Sequence, residues 1–394
     1  MKRFILLFSI FGILLTGNSY ADDDDYNICA TNANGAILVE QNNSDHHSFA
    51  LASSPTDFTV VMGDNANQGG MCEVTPDNYK FTIFKMGLCK ENPWTGFDDN
   101  ANNTKTADLS TCTDIFDVSA GKEVNLTPGS EVNLLDDGVI LPIGSFPYIY
   151  ALLDNAIQVK HIQEFAVAPG ADDFIINGYD TGDESSGGKF CYTGLDDNGD
   201  KFVMAKSNDR SFGTFTTLRG GTYKLPEHYN GDNAKAKFHC GTEAEANAAN
   251  DFFVTLMNSM GDEMTTGNDG SNPGAATGRT AANFRNASEN SRGFHKQFPT
   301  IAQYYYLFNA NDSIATSPAT VEKILFIQDD TSNIINITED TTAFKLNFKT
   351  NNAVEIGIFE SITTQTRLQA TEMQANSIFV NIQTKTRKSG DTFN

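Results

Sequence analysis

Short apolar and aromatic runs, each bounded by Gly, Asn, Asp or Pro clusters, recur along most of this chain. Residues 36–40, 57–62 and 79–88 are the first three, and runs of this length and composition read as β-strands. In the third, Tyr79, Phe81 and Ile83 fall on one face, while Lys80 and Thr82 fall on the other. Residues 123–126 and 131–135 follow, and then a longer stretch from Gly138 to Ala168, interrupted between Pro142 and Pro147. Within it Tyr148, Tyr150 and Leu152 alternate with Ile149, Ala151 and Leu153, so both faces of that strand are apolar and need cover. Nothing before Ala168 requires a long helix.

The pattern changes after Gly170. Gly, Asp, Asn and Ser dominate to about Arg292, with an occasional strand such as 202–205. Residues 243–264 carry enough Ala, Glu, Leu and Met for one short helix, expected at about 247–260, and 267–285 reads as a long loop. Regular strands return at 323–327, 333–337, 343–348, 353–359 and 377–382, a rhythm suited to an antiparallel sandwich. The expected fold is therefore mainly β: antiparallel β-sandwich domains with a long Gly/Asp/Asn-rich loop region and at most one or two short helices. The expected divisions are an export signal at 1–21, an N-terminal β-sandwich at 22–168, a loop-rich acidic insertion at 169–295 and a C-terminal strand region at 296–394.

The N-terminus reads as a secretory signal. Lys2 and Arg3 precede a short apolar run from Phe4 to Leu15, and Ser19 and Ala21 are the small residues of a cleavage site. No later stretch reaches the ~18 apolar residues of a membrane-spanning helix. Six cysteines remain: Cys29, Cys72, Cys89, Cys112, Cys191 and Cys240. An even count behind a signal peptide implies three disulfides, with fifteen possible connectivities. Sequence order favours Cys29–Cys72, Cys89–Cys112 and Cys191–Cys240. The rival, a zinc site, is weak because no Cys-x-x-Cys occurs; His239 beside Cys240 reads as a loop residue next to a disulfide.

Charge narrows the partners. Fifty acidic against 27 basic residues give a net charge of −23, and removal of Lys2 and Arg3 with the signal would take it to −25. A surface of this sign repels phosphate, which argues against nucleic acid as a partner. The 29 Phe and 12 Tyr still supply a core.

Residues 79–164 carry a resemblance. A strand ends in Leu88-Cys89, an Asn/Asp loop leads to Thr111-Cys112-Thr113, paired Val-Asn-Leu runs follow, and Leu141-Pro-Ile-Gly144 leads into the strand at Tyr148. This order resembles a module of secreted marine-bacterial surface proteins of uncharacterised function. Its Leu-Pro-x-Gly-x-x-x-Tyr element is similar to bacterial surface domains with a prealbumin-like, immunoglobulin-like β-sandwich. Residues 348–382 hold a weaker echo. Pro147 and the Gly/Asp insertion depart from that pattern. The resemblance implies a disulfide-stapled sandwich at the cell exterior and transfers no catalytic residue.

Candidate chemistry is sparse. Asp196, Asp197, Asn198 and Asp200 surround Gly199, and hard oxygen donors on a tight turn suit Ca²⁺, although the stretch is too short for an EF-hand loop. Asp172, Asp173, Asp180, Asp183 and Glu184 are further carboxylates nearby. The plain alternative is a solvated acidic turn. Asp180-Thr181-Gly182 matches the aspartic-peptidase triplet, which needs a second carboxylate at contact distance. Asp330-Thr331-Ser332 is the nearest second copy and lacks the Gly. No nucleophile elbow, zinc-protease helix or phosphate loop is present. The histidines are scattered. Trp94, with Phe97, suits either a sugar platform or a cap on the sandwich, and the cap is the better reading.

The functional expectation is an exported, non-enzymatic structural or adhesive protein, located at the cell surface, outside the cell or in the periplasm. A filament subunit is one form of it, with self-association or other cell-surface components as partners. Residues 26–40 or 377–387 would serve as a donated strand. The alternatives are a Ca²⁺-dependent glycan-binding protein using residues 170–232, and a secreted aspartic-type peptidase. Beyond Ca²⁺ no cofactor is expected.

Overall fold

A computed structural model describes residues 27–41, 49–51, 69–96, 105–128, 141–167, 175–177, 187–194, 203–205, 214–216, 222–224, 239–256, 287–290, 302–316, 320–360, 367–375 and 378–386. The fold is mainly β, with mostly antiparallel pairing and one helix, Glu243–Ala249, among the described residues.

Strand Asn78–Cys89 organises the largest sheet. It pairs on one edge with Cys112–Leu126, and on the other with Ala156–Lys160 and then Tyr148–Asp154, all antiparallel. A bulge between Ile83 and Lys85 shifts the register against both neighbours. Tyr79, Phe81 and Ile83 face the main core as expected, but after the bulge Met86 and Leu88 take over that face. Phe84 and Cys89 go to the opposite one. Beyond Tyr148–Asp154 the sheet continues through Lys323–Asp329, Gln303–Phe308 and Ala287–Asn290; beyond Ala156–Lys160 it continues through Phe253–Leu256 and Val203–Ala205.

Both faces of this sheet are covered, as the alternation at Tyr148 to Leu153 requires. Ile149, Ala151 and Leu153 join the main core with Tyr305, Leu307, Ile324 and Phe326. Tyr150, Leu152, Tyr304, Tyr306, Leu325 and Ile327 form a second cluster on the back. The described part of the loop closed by Cys89–Cys112 lies over that back face, with Trp94, Ala107 and Leu109 packed on it. Its Trp94 stacks on Tyr304 at 5.0 Å and tilts against Tyr306 at 4.7 Å. The Tyr306 hydroxyl donates to the Gly96 carbonyl at 3.0 Å and accepts from the Thr95 N–H at 3.1 Å. Trp94 is thus a cap on the sheet.

A second sheet runs His239–Gly241, Phe190–Tyr192, Ile162–Val167, Ile37–Gln41, Phe49–Leu51; a third runs Asn27–Ile28, Gly69–Val74, Val354–Glu360, Arg367–Ala375, Ile175–Asn177, Gly187–Gly188. Four of the pairings among the described residues are parallel. The chain passes between the first two sheets at a corner. Asn155, whose side chain donates to the Val321 carbonyl at 3.0 Å, ends one strand, and His161 separates Ala156–Lys160 from Ile162–Val167. The C-terminal strands are dealt out among sheets: Lys323–Asp329 joins the first, Val354–Glu360 the third, Ile335–Ile337 pairs with Gly144–Phe146, and Thr341–Lys349 with Phe379–Thr386. Residues near both ends of the chain and from its middle therefore share sheets and one core.

The helix lies earlier than expected. Thr242 and Glu245 form a capping box that starts it at Glu243, and Asn250 caps its end. Residues 253–256, expected within the helix, instead form a strand paired with Ala156–Lys160, where the β-forming Phe253 and Val254 are buried. His239 also differs from expectation: it is a strand residue stacked on Tyr192 at 5.4 Å, not part of a loop.

All six cysteines are bonded, as Cys29–Cys72, Cys89–Cys112 and Cys191–Cys240. Each of the three large sheets holds one of these bonds. Cys89 faces Cys112 and Cys191 faces Cys240 across antiparallel pairs, while Cys29 follows the strand that lies parallel to the one bearing Cys72. In the chain-entropy picture, closing loops of 23 to 49 residues contributes about 3–4 kcal/mol each. This bonding fits an oxidising, extracellular environment. No helix among the described residues is long and apolar enough to cross a membrane.

Candidate functional site

The corner at His161 positions the best candidate. There the second and third sheets meet around a cavity of about 460 Å³, within the range of small-molecule sites. Strand Gly69–Val74 supplies Glu73, strand Ile162–Val167 supplies Gln163 and Glu164, strand Phe190–Tyr192 supplies Phe190, and the turn before Val354–Glu360 supplies Asn352.

The histidine is fixed from both sides. Its ring nitrogens lie 3.2 Å from Asp77 Oδ2 and 3.2 Å from Gln163 Oε1. Its backbone N–H donates to Thr193 Oγ1 at 3.0 Å, and that hydroxyl donates in turn to Asn250 Oδ1 at 2.9 Å. Asp77 also accepts from the Ile162 N–H at 2.9 Å. Partial burial pushes the Asp77 carboxyl up, but the His161 ring, the Ile162 N–H and the Lys160 charge outweigh it and hold the group below the ordinary carboxylate range. Gln163 donates to the Gly35 carbonyl at 3.2 Å, tying the Thr31–Gly35 turn to the cavity wall. With both ring nitrogens engaged, His161 acts here as a brace between sheets.

Asn352 is the unusual residue. It is one of two described non-glycine residues with a left-handed backbone, at φ 55°, the other being Asp312. Asparagine tolerates that region better than most residues. Its N–H donates to Thr75 Oγ1 at 3.1 Å. The side chain is buried, and its Nδ2 has no hydrogen-bond partner among the described residues.

A second polar cluster is buried under the C-terminal ribbon. Gln303 and Gln328 sit opposite each other on adjacent strands. Gln328 Nε2 donates to the Val380 carbonyl at 2.7 Å and to Asp330 Oδ2 at 3.0 Å, while its Oε1 accepts from the Val380 N–H at 2.9 Å. Gln303 Nε2 donates to the Ile378 carbonyl at 3.3 Å. Burial pushes the Asp330 carboxyl up to about 7, the Gln328 hydrogen bond opposing and the Asp329 charge adding to the effect. Sequence reasoning reached Asp330 only as half of a peptidase pair. Its environment here is a structural polar bridge, and Asp180, the other half, lies outside the described residues.

The Ca²⁺ candidates Asp196, Asp197, Asn198 and Asp200 also lie outside the described residues, as do Asp172, Asp173 and Phe97. Among the described residues no three His, Cys, Asp or Glu side chains are placed to hold a metal. The cavity at His161 was missed because its members come from five separate stretches; an isolated His flanked by strands gave the only local sign. No protein family shows a significant match to this chain, and neither does any curated protein or solved structure.

Proposed function

We propose that this protein is exported and works without catalysis as a structural or adhesive component at the cell surface or outside the cell. The observation that carries the reading is the placement of one disulfide in each large sheet. Covalent ties between neighbouring strands protect a protein that must persist where no cellular machinery refolds it. The excess of acidic residues keeps such a chain soluble and repels nucleic acid. The resemblance of residues 79–164 to secreted surface proteins with a prealbumin- or immunoglobulin-like sandwich agrees with this role.

Imaging the native protein on its own cells, together with sedimentation of the released material, tests the proposal. Surface-localised or polymeric protein is expected. A strictly monomeric protein confined to the cytoplasm would sink it.

A further inference from the structure

We propose that the side chains of Lys323 and Asp312 are joined by an intramolecular amide bond, with Asp154 as the carboxyl group that carries the proton between them. The proposal does not depend on the structural role given above.

The lysine is the starting point. Lys323 is 7% exposed, and lysine is among the residues least often buried without a partner. Its Nζ lies 5.0 Å from the centre of the Phe84 ring, a member of the apolar cluster on the back of the largest sheet. It donates to the Ala310 carbonyl at 3.1 Å and to the Asp312 carboxylate.

The turn that carries Asp312 holds it in place. Residues 309–313 form a turn closed by the bridge between Phe308 and Ile314. The Asn309 N–H donates to the Ser313 carbonyl at 2.8 Å, and Asn309 Oδ1 accepts from the Asn311 and Ser313 N–H groups at 2.9 and 3.2 Å. Asp312 itself has a left-handed backbone, at φ 58°. Strain of that kind persists where the surroundings over-determine it. Phe308 pairs with Lys323 on the next strand, so the turn folds back over the lysine.

A second carboxyl group shares the lysine's face. Asp154 lies directly opposite Lys323 across an antiparallel pair, and residues so placed point to one side with their Cβ atoms about 5 Å apart. That side is the back of the sheet, because Leu152 and Leu325, two residues along each strand, both join the back cluster. Asp154 is 2% exposed, and its Oδ1 accepts from the Ala156 N–H at 2.8 Å. The Asp312 side chain is half exposed. One acid therefore sits inside and the other at the mouth of the site.

A nucleophile, an electrophile and a proton carrier on fixed strands are what amide formation needs. A proton first moves from the Lys323 ammonium to the Asp312 carboxylate along their hydrogen bond, leaving an amine and a carboxylic acid. The amine lone pair attacks Asp312 Cγ, and the C–N bond forms. Asp154 takes a proton from the nitrogen and returns it to a hydroxyl on Cγ. The C–O bond breaks, and water leaves through the exposed side of the turn. The step needs no oxidant, reductant or co-reactant. Well-oriented groups reach effective concentrations of about 10⁵–10⁸ M, which opposes hydrolysis. The neutral amide also removes a buried charge whose desolvation is costly.

The test is tryptic digestion of the full-length protein after urea unfolding and disulfide reduction, read by mass spectrometry. Ordinary cleavage after Lys296, Lys323 and Lys345 gives peptides 297–323 and 324–345. The bond blocks cleavage at Lys323, so one peptide, 297–345, lighter by one water, is expected. Asp312→Ala and Asp154→Asn should each restore cleavage at Lys323 and full mass. The wild-type digest decides the bond whether or not a variant folds. Both ordinary peptides at full mass would mean an ion pair only and overturn the proposal. So would loss of water confined to a cleaved 297–323 peptide, which marks a cyclic imide at Asp312. A bond that forms fully in Asp154→Asn overturns the role given to Asp154.

Discussion

Replacing Asp330 by Asn should stabilise this protein above neutral pH and destabilise it in acid. The carboxyl is 4% exposed and is pushed up to about 7 from an ordinary 3.8. Burial is the main cause, and the neighbouring Asp329 charge adds to it. The difference corresponds to a penalty of about 4 kcal/mol on the ionised form. Because the folded state holds its proton more tightly than the unfolded one, the protonated state's stability is fully present below about 3.8. It is lost as pH rises and gone above about 7. In the Asp330→Asn variant the side-chain carbonyl still accepts from Gln328, but the new amide hydrogens lack a ready partner. About half the penalty should therefore be recovered, or ~2 kcal/mol at pH 8. Urea unfolding of both proteins at half-unit intervals from pH 4 to 8.5 measures this. The two stability curves should cross at about pH 5–6, the variant being about 2 kcal/mol less stable near pH 4 and about 2 kcal/mol more stable at pH 8. Parallel curves would refute the reasoning, as would a ¹³C carboxyl titration placing Asp330 below pH 5.

Four further variants test the geometry. Gln328→Leu strips both backbone groups of Val380 of their partner and should cost about 3 kcal/mol in urea unfolding. Gly87→Ala drives a methyl group into the Tyr150 ring and the Thr113 carbonyl, for a loss of about 1–3 kcal/mol in the same assay. Cys89→Ser with Cys112→Ser should cost about 3 kcal/mol. Since Trp94 is the only tryptophan and packs on Tyr304 and Tyr306, its emission should shift to the red in that double variant before global unfolding. Trp94→Ala should itself cost about 2–3 kcal/mol by thermal melting.

Strand identity was legible wherever alternation was clean. Tyr79 to Ile83 and Tyr148 to Leu153 took the faces that their patterns required, because burial on a pleated strand leaves side chains no third choice. The three disulfide pairings followed sequence order, since each bond joins strands that are paired or adjacent in their sheet. Pairing between distant segments was not legible. Nothing local tells Lys323–Asp329 that its partner is Tyr148–Asp154, or Val354–Glu360 that its partner is Gly69–Val74. Strand Arg367–Ala375, rich in Gln, Ala, Leu and Met, even reads as helix-compatible; its place beside Val354–Glu360, with Met373 and Ala375 buried, overrides that preference. The cavity at His161 is a product of this non-local pairing, and so was its residue set.

The pairings also constrain how a structural subunit could assemble. Strand Ile37–Gln41 lies between Ile162–Val167 and Phe49–Leu51, so donating it to a neighbour would break pairings on both of its edges. Strand Phe379–Thr386 pairs with Thr341–Lys349, and Val380 has its backbone groups taken by Gln328. The long strand Cys112–Leu126 pairs only with Asn78–Cys89 among the described residues, which leaves it at a sheet edge. That edge carries Asp114 and Asp117, both paired with Lys85, together with Lys122 and Glu123. Charges so placed block indiscriminate strand addition. Lateral contact through side-chain faces asks for none of these pairings to open, so it is the less costly route for any self-association of this fold. Cross-linking of assembled material should then join surface side chains while leaving the pairing of Val380 with Gln328 intact.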